Sequence, residues 1–358
     1  MKINILFLNS ARSWGGNEKW TRMAADALSE DYEVVLACRS SVIGNQFKNR
    51  TYYLPFIFEL DLLTIIPLIG ITLFHRIDVL IPTKRKDYVL SGIVSRVCGR
   101  VNILRLGIVR RLKSSRIQAW IYRDLTDGLI VNAKRIQTEL LKTYYMQYQN
   151  IRVIYNGIDT QHILRLTHPI AKPCAFLMTT MGTLIPRKGV DRVIQGFGEF
   201  VRGMRITDCR LVIIGDGECR DALETLAAEL DLGDQIQFAG HLENPYPWLQ
   251  ISDLFITASM NEGISNAVLE AMLLNNVVIT AQAGGIHEMI IHKKNGWLLE
   301  NTEAGSIAEA IRLYYQNEDL RQLVSDRARQ DVIDICSLKR MSDEMIRFYR
   351  EILDRRGT

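Results

Sequence analysis

The chain has 358 residues, 47% hydrophobic and 23% charged, with a formal net charge of +4. That composition excludes disordered, collagenous and low-complexity architectures, and the length suits about two domains, each able to bury its own core. Six cysteines, at 38, 98, 174, 209, 219 and 336, form no Cys-x-x-Cys pair, so they read as reduced core thiols and not as a disulfide framework or a zinc site.

Charge is unevenly spread. Residues 1–165 hold 24 Lys and Arg against 13 Asp and Glu, a net +11, which leaves −7 for the remainder. Much of the excess lies in Lys84, Arg85, Lys86, Arg96, Arg100, Arg105, Arg110, Arg111, Lys113, Arg116 and Arg123. A basic first half fits an anionic partner, either a membrane surface or a phosphorylated acceptor, or else a solvated positive face. Nucleic acid is the weakest partner, since neither zinc-finger spacing nor an aromatic RNA-binding signature is present. The run Ile3–Leu8 is too short for a signal peptide. The uncharged, strongly apolar stretch Leu62–Phe74 falls short of the about 20 residues that a membrane span needs. A cytoplasmic protein is expected, with peripheral contact as the one plausible form of membrane association.

In chain order, the opening predicts a strand at 3–8, a glycine loop at Gly15-Gly16 and a helix from 18 to 28. Further short apolar runs predict strands at 33–37, 78–81, 102–106, 128–131 and 152–154, as expected of parallel strands covered on both faces. The segment 54–74 mixes Leu, Ile and Phe with Pro55, Pro67 and Gly70 and fits either a buried helix or a monotopic membrane contact. After Asn156-Gly157-Ile158-Asp159 the chain turns polar and the alternation restarts, with strands at 176–181, 210–214, 235–238, 254–257 and 277–280. Helices are expected between them, among them 190–201 and 221–230. The reading is α/β, with two Rossmann-like, doubly wound parallel-sheet domains facing a central cleft, and ligands at the carboxyl ends of the strands. The domains are placed at 1–160 (acceptor side) and 161–335 (nucleotide-sugar side). Residues 336–358 form a final helix that either caps the second domain or returns to the first.

The sharpest chemical signal is the run from Glu262 to Glu270. The amides of Gly263, Ile264 and Ser265 precede a helix and make a ready anion site. Glu270, about one turn into that helix, can accept hydrogen bonds from two vicinal hydroxyls, as on a ribose. Glu262 can reach a second hydroxylated group. Gly182 to Gly189 follows a strand and carries Arg187 and Lys188, adjacent cations suited to a diphosphate. Gly284-Gly285 and Gly15-Gly16 open further turns at strand ends. No strand is followed by Gly-x-Gly-x-x-Gly with an acidic residue beyond it, which disfavours a dinucleotide-dependent oxidoreductase.

Asp253 to Ser259, Glu262-Gly263, Leu269 to Met272, Gly284-Gly285, Glu288 and Asn295-Gly296 together resemble the retaining glycosyltransferases of family 4, which have the GT-B fold. Gly15, Gly16 and Glu18, the joint 156–159, Lys188-Gly189 and Gly215-Asp216-Gly217 fit the same pattern. The resemblance implies that Lys188 and Arg187 neutralise the donor diphosphate and that Glu270 holds the ribose. Glu262 and the amides after it would hold the sugar and distal phosphate. Gly15 and Gly16 would let the first-domain loop close on the phosphates, and the base would lie near His241 and Leu242. It further implies a nucleotide-diphosphate-sugar donor, retention of configuration, no metal and no other cofactor. The acceptor would be an anionic glycan or lipid-linked sugar in cell-envelope polysaccharide or lipopolysaccharide synthesis. Two places depart from the family: Thr183 stands where an Arg is common, and Arg105-Leu106-Gly107 where a His-Gly pair is common, so Thr183 and Arg105 become candidate substrate contacts. His75 reads as structural. A sugar-nucleotide epimerase of the same fold and a catalytically silent sugar-nucleotide-binding protein are the alternatives.

Overall fold

The computed structural model describes residues 3–109, 111–147, 149–260 and 263–357. The chain divides into two compact units, one of residues 1–157 with 338–358 and the other of 158–337. Each is built on a single all-parallel sheet with helices packed against it, the two-layered burial that the apolar runs predict.

The first sheet has strands β1 (Asn4–Asn9), β2 (Glu33–Cys38), β3 (Arg50–Tyr53), β4 (Val79–Pro82), β5 (Val101–Leu106), β6 (Gly128–Val131) and β7 (Ile151–Val153), in the order β3-β2-β1-β4-β5-β6-β7. The second has β8 (Phe176–Met181), β9 (Cys209–Ile214), β10 (Ile236–Gly240), β11 (Leu254–Thr257), β12 (Val277–Ala281) and β13 (Trp297–Leu299), in the order β10-β9-β8-β11-β12-β13. Strand alternation sorts the cores. Ile5 and Phe7 join one cluster while Leu6 and Leu8 join another on the opposite face. In the second unit Phe176 and Met178 pack with Leu211, Ile213, Leu254 and Ile256, whereas Leu177 faces Val212 and Ile214. The thiols of Cys38 and Cys209 are buried, and burial pushes both up to about 11, so they behave as small core hydrophobes.

Strands β3 and β13 escape the sequence reading because both are edges. Arg50-Thr-Tyr-Tyr53 has no continuous apolar run, and β13 is three residues long. The segment 54–74 becomes a helix, Leu62–Phe74, that buries Thr64, Ile65, Leu68 and Ile71 and leaves its other face exposed. None of the helices in the described residues is long and apolar enough to cross a membrane.

The last helix, Leu338–Gly357, completes the first unit. Met341, Met345, Phe348, Tyr349 and Ile352 lie in the same core cluster as Ile5, Phe7 and Ile103. Gly128 leaves room for Phe348, since a Cβ there would come within 2.8 Å of the ring. Arg152 lies over the same ring at 5.2 Å and also pairs with Glu351, and Arg356 pairs with Asp127 at 3.1 Å.

Parallel sheets whose strand order reverses direction leave a crevice at the reversal. In the first unit it falls between β1 and β4, and in the second between β8 and β11. The first crevice is held by a buried carboxylate. Asp87, in the opening turn of the helix Arg85–Cys98, accepts from the Ser10 amide at 3.0 Å through Oδ2. Burial pushes its carboxyl up to about 6, partly opposed by Ser10 and Lys84.

Two outcomes follow from this packing. Phe348→Ala should lower stability by about 3–5 kcal/mol, read from urea unfolding; a loss within the range of a surface substitution would mean the last helix is not part of this core. Asp87 binds its proton more tightly folded than unfolded, so its contribution is full below about pH 4 and is lost as pH rises through about 6. Asp87→Asn should therefore flatten the fall in stability between these values, by on the order of 1–3 kcal/mol. Parallel unfolding curves for the two proteins across that range would refute the assignment.

Candidate functional site

In the second unit the loops that leave β8, β9, β10 and β11 are laced together by backbone. Gly182 (φ +153°) donates to the Ile214 carbonyl at 2.9 Å, and Leu184 donates to Asp216 at 3.0 Å. Cys219 returns a bond to the Leu184 carbonyl at 3.0 Å, and Gly215 donates to Gly240 at 2.8 Å. Gly189, in the left-handed conformation at φ +65°, lies so close to the loop after β11 that a Cβ would sit 2.5 Å from the Ala258 carbonyl oxygen. The Arg187 carbonyl accepts from the Met260 amide at 3.0 Å and from Ser259 Oγ at 3.4 Å.

This lacing fixes the cations. Arg187 and Lys188 form a single turn, Pro186–Lys188, closed by Gly189, with Arg187 exposed and Lys188 half-buried. The Lys188 ammonium folds back over Gly182, 3.6 Å from where a Cβ on that residue would lie. Thr183 is exposed on the same loop. Across the crevice, Gly263 and Ile264 are buried and Ser265 is half-buried at the N-terminus of the helix Asn266–Leu273, which the Ser265 side chain does not cap. The Gly285 amide donates to the Gly263 carbonyl at 3.0 Å, so the glycine pair after β12 supports this turn. Glu270 is 1% exposed, inside that helix. Glu262 lies outside the described residues. His241 is exposed after β10, and Leu242 is half-buried against the cluster of Leu177, Val212 and Ile214. The second crevice thus brings together the loops Gly182 to Lys188, Ala258 to Met260 and Gly263 to Ser265, two cations on one loop and a helix N-terminus on the other, an arrangement able to hold a polyanion.

In the first unit, Gly15 precedes and Gly16 opens the helix Gly16–Leu28. A Cβ on Gly16 would meet nothing within 4 Å, so packing does not demand glycine there. Sequence reasoning did not assign roles to the residues that surround this loop. Glu18 is 2% exposed and pairs with Lys84 at 2.7 Å, and the Asn9 amide nitrogen donates to the same oxygen at 3.3 Å and to Thr83 Oγ1 at 3.0 Å. Their positions after β1 and β4, the pair flanking the strand reversal, are the signal that could have found them.

Arg105 ends β5 as a buried cation, 6% exposed. Its guanidinium stacks over Trp20 at 4.3 Å and donates to the side-chain oxygens of Asn17 at 2.5 Å and Asn156 at 3.4 Å. Burial draws it down to about 10, against the opposing pull of Tyr88 and Glu18, so it stays charged near neutrality. Arg105 also fills the space over Gly107, where a Cβ would meet the guanidinium at 2.4 Å. The residue ties the glycine-loop helix to the joint at Asn156. His75 caps the helix Leu62–Phe74, bonded to Tyr52 at 2.8 Å and Glu33 at 3.1 Å, away from the first crevice. The basic segment is largely engaged in ion pairs: Lys84 with Glu18, Arg85 with Glu59, Arg96 with Asp127, Arg100 with Asp78, Arg111 with Glu139 and Arg123 with Asp124. Arg110 lies outside the described residues.

Known proteins share this fold, and part of the chain resembles a described family. Residues 172–331 match the family model of glycosyl transferases group 1. A lipopolysaccharide core biosynthesis glycosyltransferase, LpsE of Rhizobium meliloti, is 26% identical over 223 residues, covering 61% of this chain and 62% of that protein. An N-acetylgalactosaminyltransferase of Campylobacter jejuni that acts on a diphospho-undecaprenol-linked sugar is 26% identical over 205 residues, covering 57% and 54%. The matches therefore span about half to three fifths of the length of these relatives. Among solved structures, a glycosyltransferase of Rickettsia africae superposes with a TM-score of 0.84 at 17% identity, over 98% of this chain and 99% of that one. HepE of Anabaena, in complex with UDP, superposes with a TM-score of 0.80 at 18% identity, over 98% and 100%. The chain has the GT-B fold, and it is residues 172–331 that carry the likeness to the glycosyl transferases group 1.

Proposed function

We propose that the protein is a retaining glycosyltransferase of family 4 that moves a sugar from a nucleotide-diphosphate donor to a glycan or lipid-linked acceptor in cell-envelope polysaccharide or lipopolysaccharide synthesis. The observation that carries the reading is the second crevice, where Lys188 and Arg187 are fixed by backbone bonds beside the helix that contains buried Glu270. The lipopolysaccharide and diphospho-undecaprenol relatives, and the UDP held by HepE, support the donor and acceptor classes.

In the reaction, the bond from the sugar's anomeric carbon to the donor phosphate breaks and a bond to the acceptor oxygen forms on the same face. The acceptor proton passes to a phosphate oxygen of the departing diphosphate. Negative charge grows on that diphosphate, and groups already aimed at it lower the barrier because they need not reorganise. Lys188, Arg187 and the amides at Gly263, Ile264 and Ser265 take that role, so no metal is required. Glu270 accepts the ribose hydroxyls, Glu262 contacts the sugar, and the base lies by His241 and Leu242. Thr183 lines the phosphates. In the first unit, Gly16 leaves the backbone of its loop uncovered.

Calorimetric titration with UDP, GDP, ADP and CMP in the presence of EDTA tests the donor site. One nucleoside diphosphate should bind in preference, and Glu270→Ala should weaken it about tenfold or more, since it removes the acceptor of ribose hydroxyls. Lys188→Ala should lower kcat about a hundredfold with smaller change in KM, because its charge partner develops in the transition state. Equal binding by all nucleotides, or full activity in both variants, would remove the assignment; binding without transfer to any acceptor would leave a silent binding protein. Gly16→Ala should leave stability unchanged or raise it by up to about 1 kcal/mol, as alanine favours a helix, while donor turnover falls. Unaltered turnover would free Gly16 from the site.

A further inference from the structure

The outward face of the helix Leu62–Phe74 is apolar from end to end. Leu62, Leu63, Ile66, Leu73 and Phe74 are 55–73% exposed, and the loop before them adds Ile57, Phe58 and Leu60 at 50–56%. No charged residue occurs in the helix itself. Eight such side chains in 18 residues form a patch of several hundred Å², beyond what a soluble surface usually leaves bare. With 13 residues the helix is about 20 Å long, too short to span a bilayer but suited to lie along one.

Cations are built into the patch. Arg50 lies 5.9 Å over the Phe74 ring, Arg39 donates to the Phe56 carbonyl at 3.1 Å, and Lys86 donates to the carbonyls of Phe56 and Ile57 at 3.2 and 3.0 Å. Arg76 is exposed at the far end, and Arg85 pairs with Glu59 at 3.0 Å. The acidic groups facing it are Glu59, the buried Asp61, and Glu33, which is bonded to His75. Five cations around an apolar face complement anionic headgroups above an acyl layer. A second copy of the same face would bring those cations against each other across a two-fold axis, a like-charge contact that opposes pairing.

We propose that this face seats the protein on an anionic lipid bilayer, with the apolar side chains at the acyl boundary and Arg39, Arg50, Arg76 and Lys86 at the headgroups. The same stretch of chain reaches the first crevice: Lys84 bonds Glu18 of the glycine loop, and Lys86, two residues on, bonds the patch. A lipid-borne acceptor would therefore be presented at the carboxyl edge of the first sheet. That last clause rests on the transferase reading; the lipid seat does not.

Flotation of the full chain with vesicles tests the seat. Vesicles of equal parts phosphatidylcholine and phosphatidylglycerol should carry the protein, and phosphatidylcholine alone should bind about tenfold less, as should the mixed vesicles in high salt. Leu63→Ser with Phe74→Ser, both at exposed positions, should lose about tenfold or more with an unchanged melting temperature, and Leu62→Ser with Ile66→Ser should do the same from the other end of the helix. The proposal is overturned if the wild type does not float, if both double variants float as well as it does, or if sedimentation shows a stable dimer that the variants split. A wild type that does not bind vesicles yet transfers sugar to a soluble acceptor would remove the seat and leave the transferase reading standing.

Discussion

A Cβ on residue 215 would lie 1.9 Å from the Gly182 carbonyl oxygen, and much of the second unit's working edge follows from that contact. With glycine at 215, at φ +140°, the loops after β8 and β9 touch backbone to backbone. Gly217 repeats the device against Leu184, and Gly189 against Ala258. Three glycines thus replace side-chain packing with hydrogen-bonded main chain, which has fewer ways to shift than a set of rotamers. Lys188 and Arg187 ride on this lattice, and a charge held by a rigid frame stabilises a developing charge better than one that must first be positioned.

The first unit solves the same problem differently. Its crevice is lined by polar groups, most of them buried, that bond one another: Glu18 with Lys84 and Asn9, Asn9 with Thr83, Asp87 with Ser10, and Arg105 with Asn17 and Asn156. Such networks are costly when broken and specify one geometry when complete. One unit is stiffened by the absence of side chains, the other by their mutual hydrogen bonding.

These two designs differ in how legible they are. Strands such as β4 and β6 are plain in the sequence, because a short parallel strand buried on both faces is apolar throughout. Gly189, Gly215 and Gly217 of the second unit are equally visible, since each marks a place where a side chain cannot fit. The first-unit network leaves no local trace: Asp87 reads as an ordinary helix-opening acid, and Lys84 as one of several surface cations. Their pairing depends on strand order, which brings residue 9 beside residue 83. Arg105 reads as a substrate contact at a strand end, and only the packing reveals Trp20 beneath it and two asparagines at its edges. The half-exposed helix Leu62–Phe74 is apolar on every side, so sequence alone cannot say which face is covered.

The placement of the helix Leu338–Gly357 has a consequence for how the molecule comes into being. The second unit is one unbroken length of chain, 158–337, whereas the core of the first is shared between residues that lead that length and residues that trail it. During synthesis the second unit can close as soon as it leaves the ribosome. The first, although begun earlier, must keep one face of its sheet open until Met341, Phe348 and Tyr349 arrive. The order of translation and the order of completion are therefore reversed between the two halves.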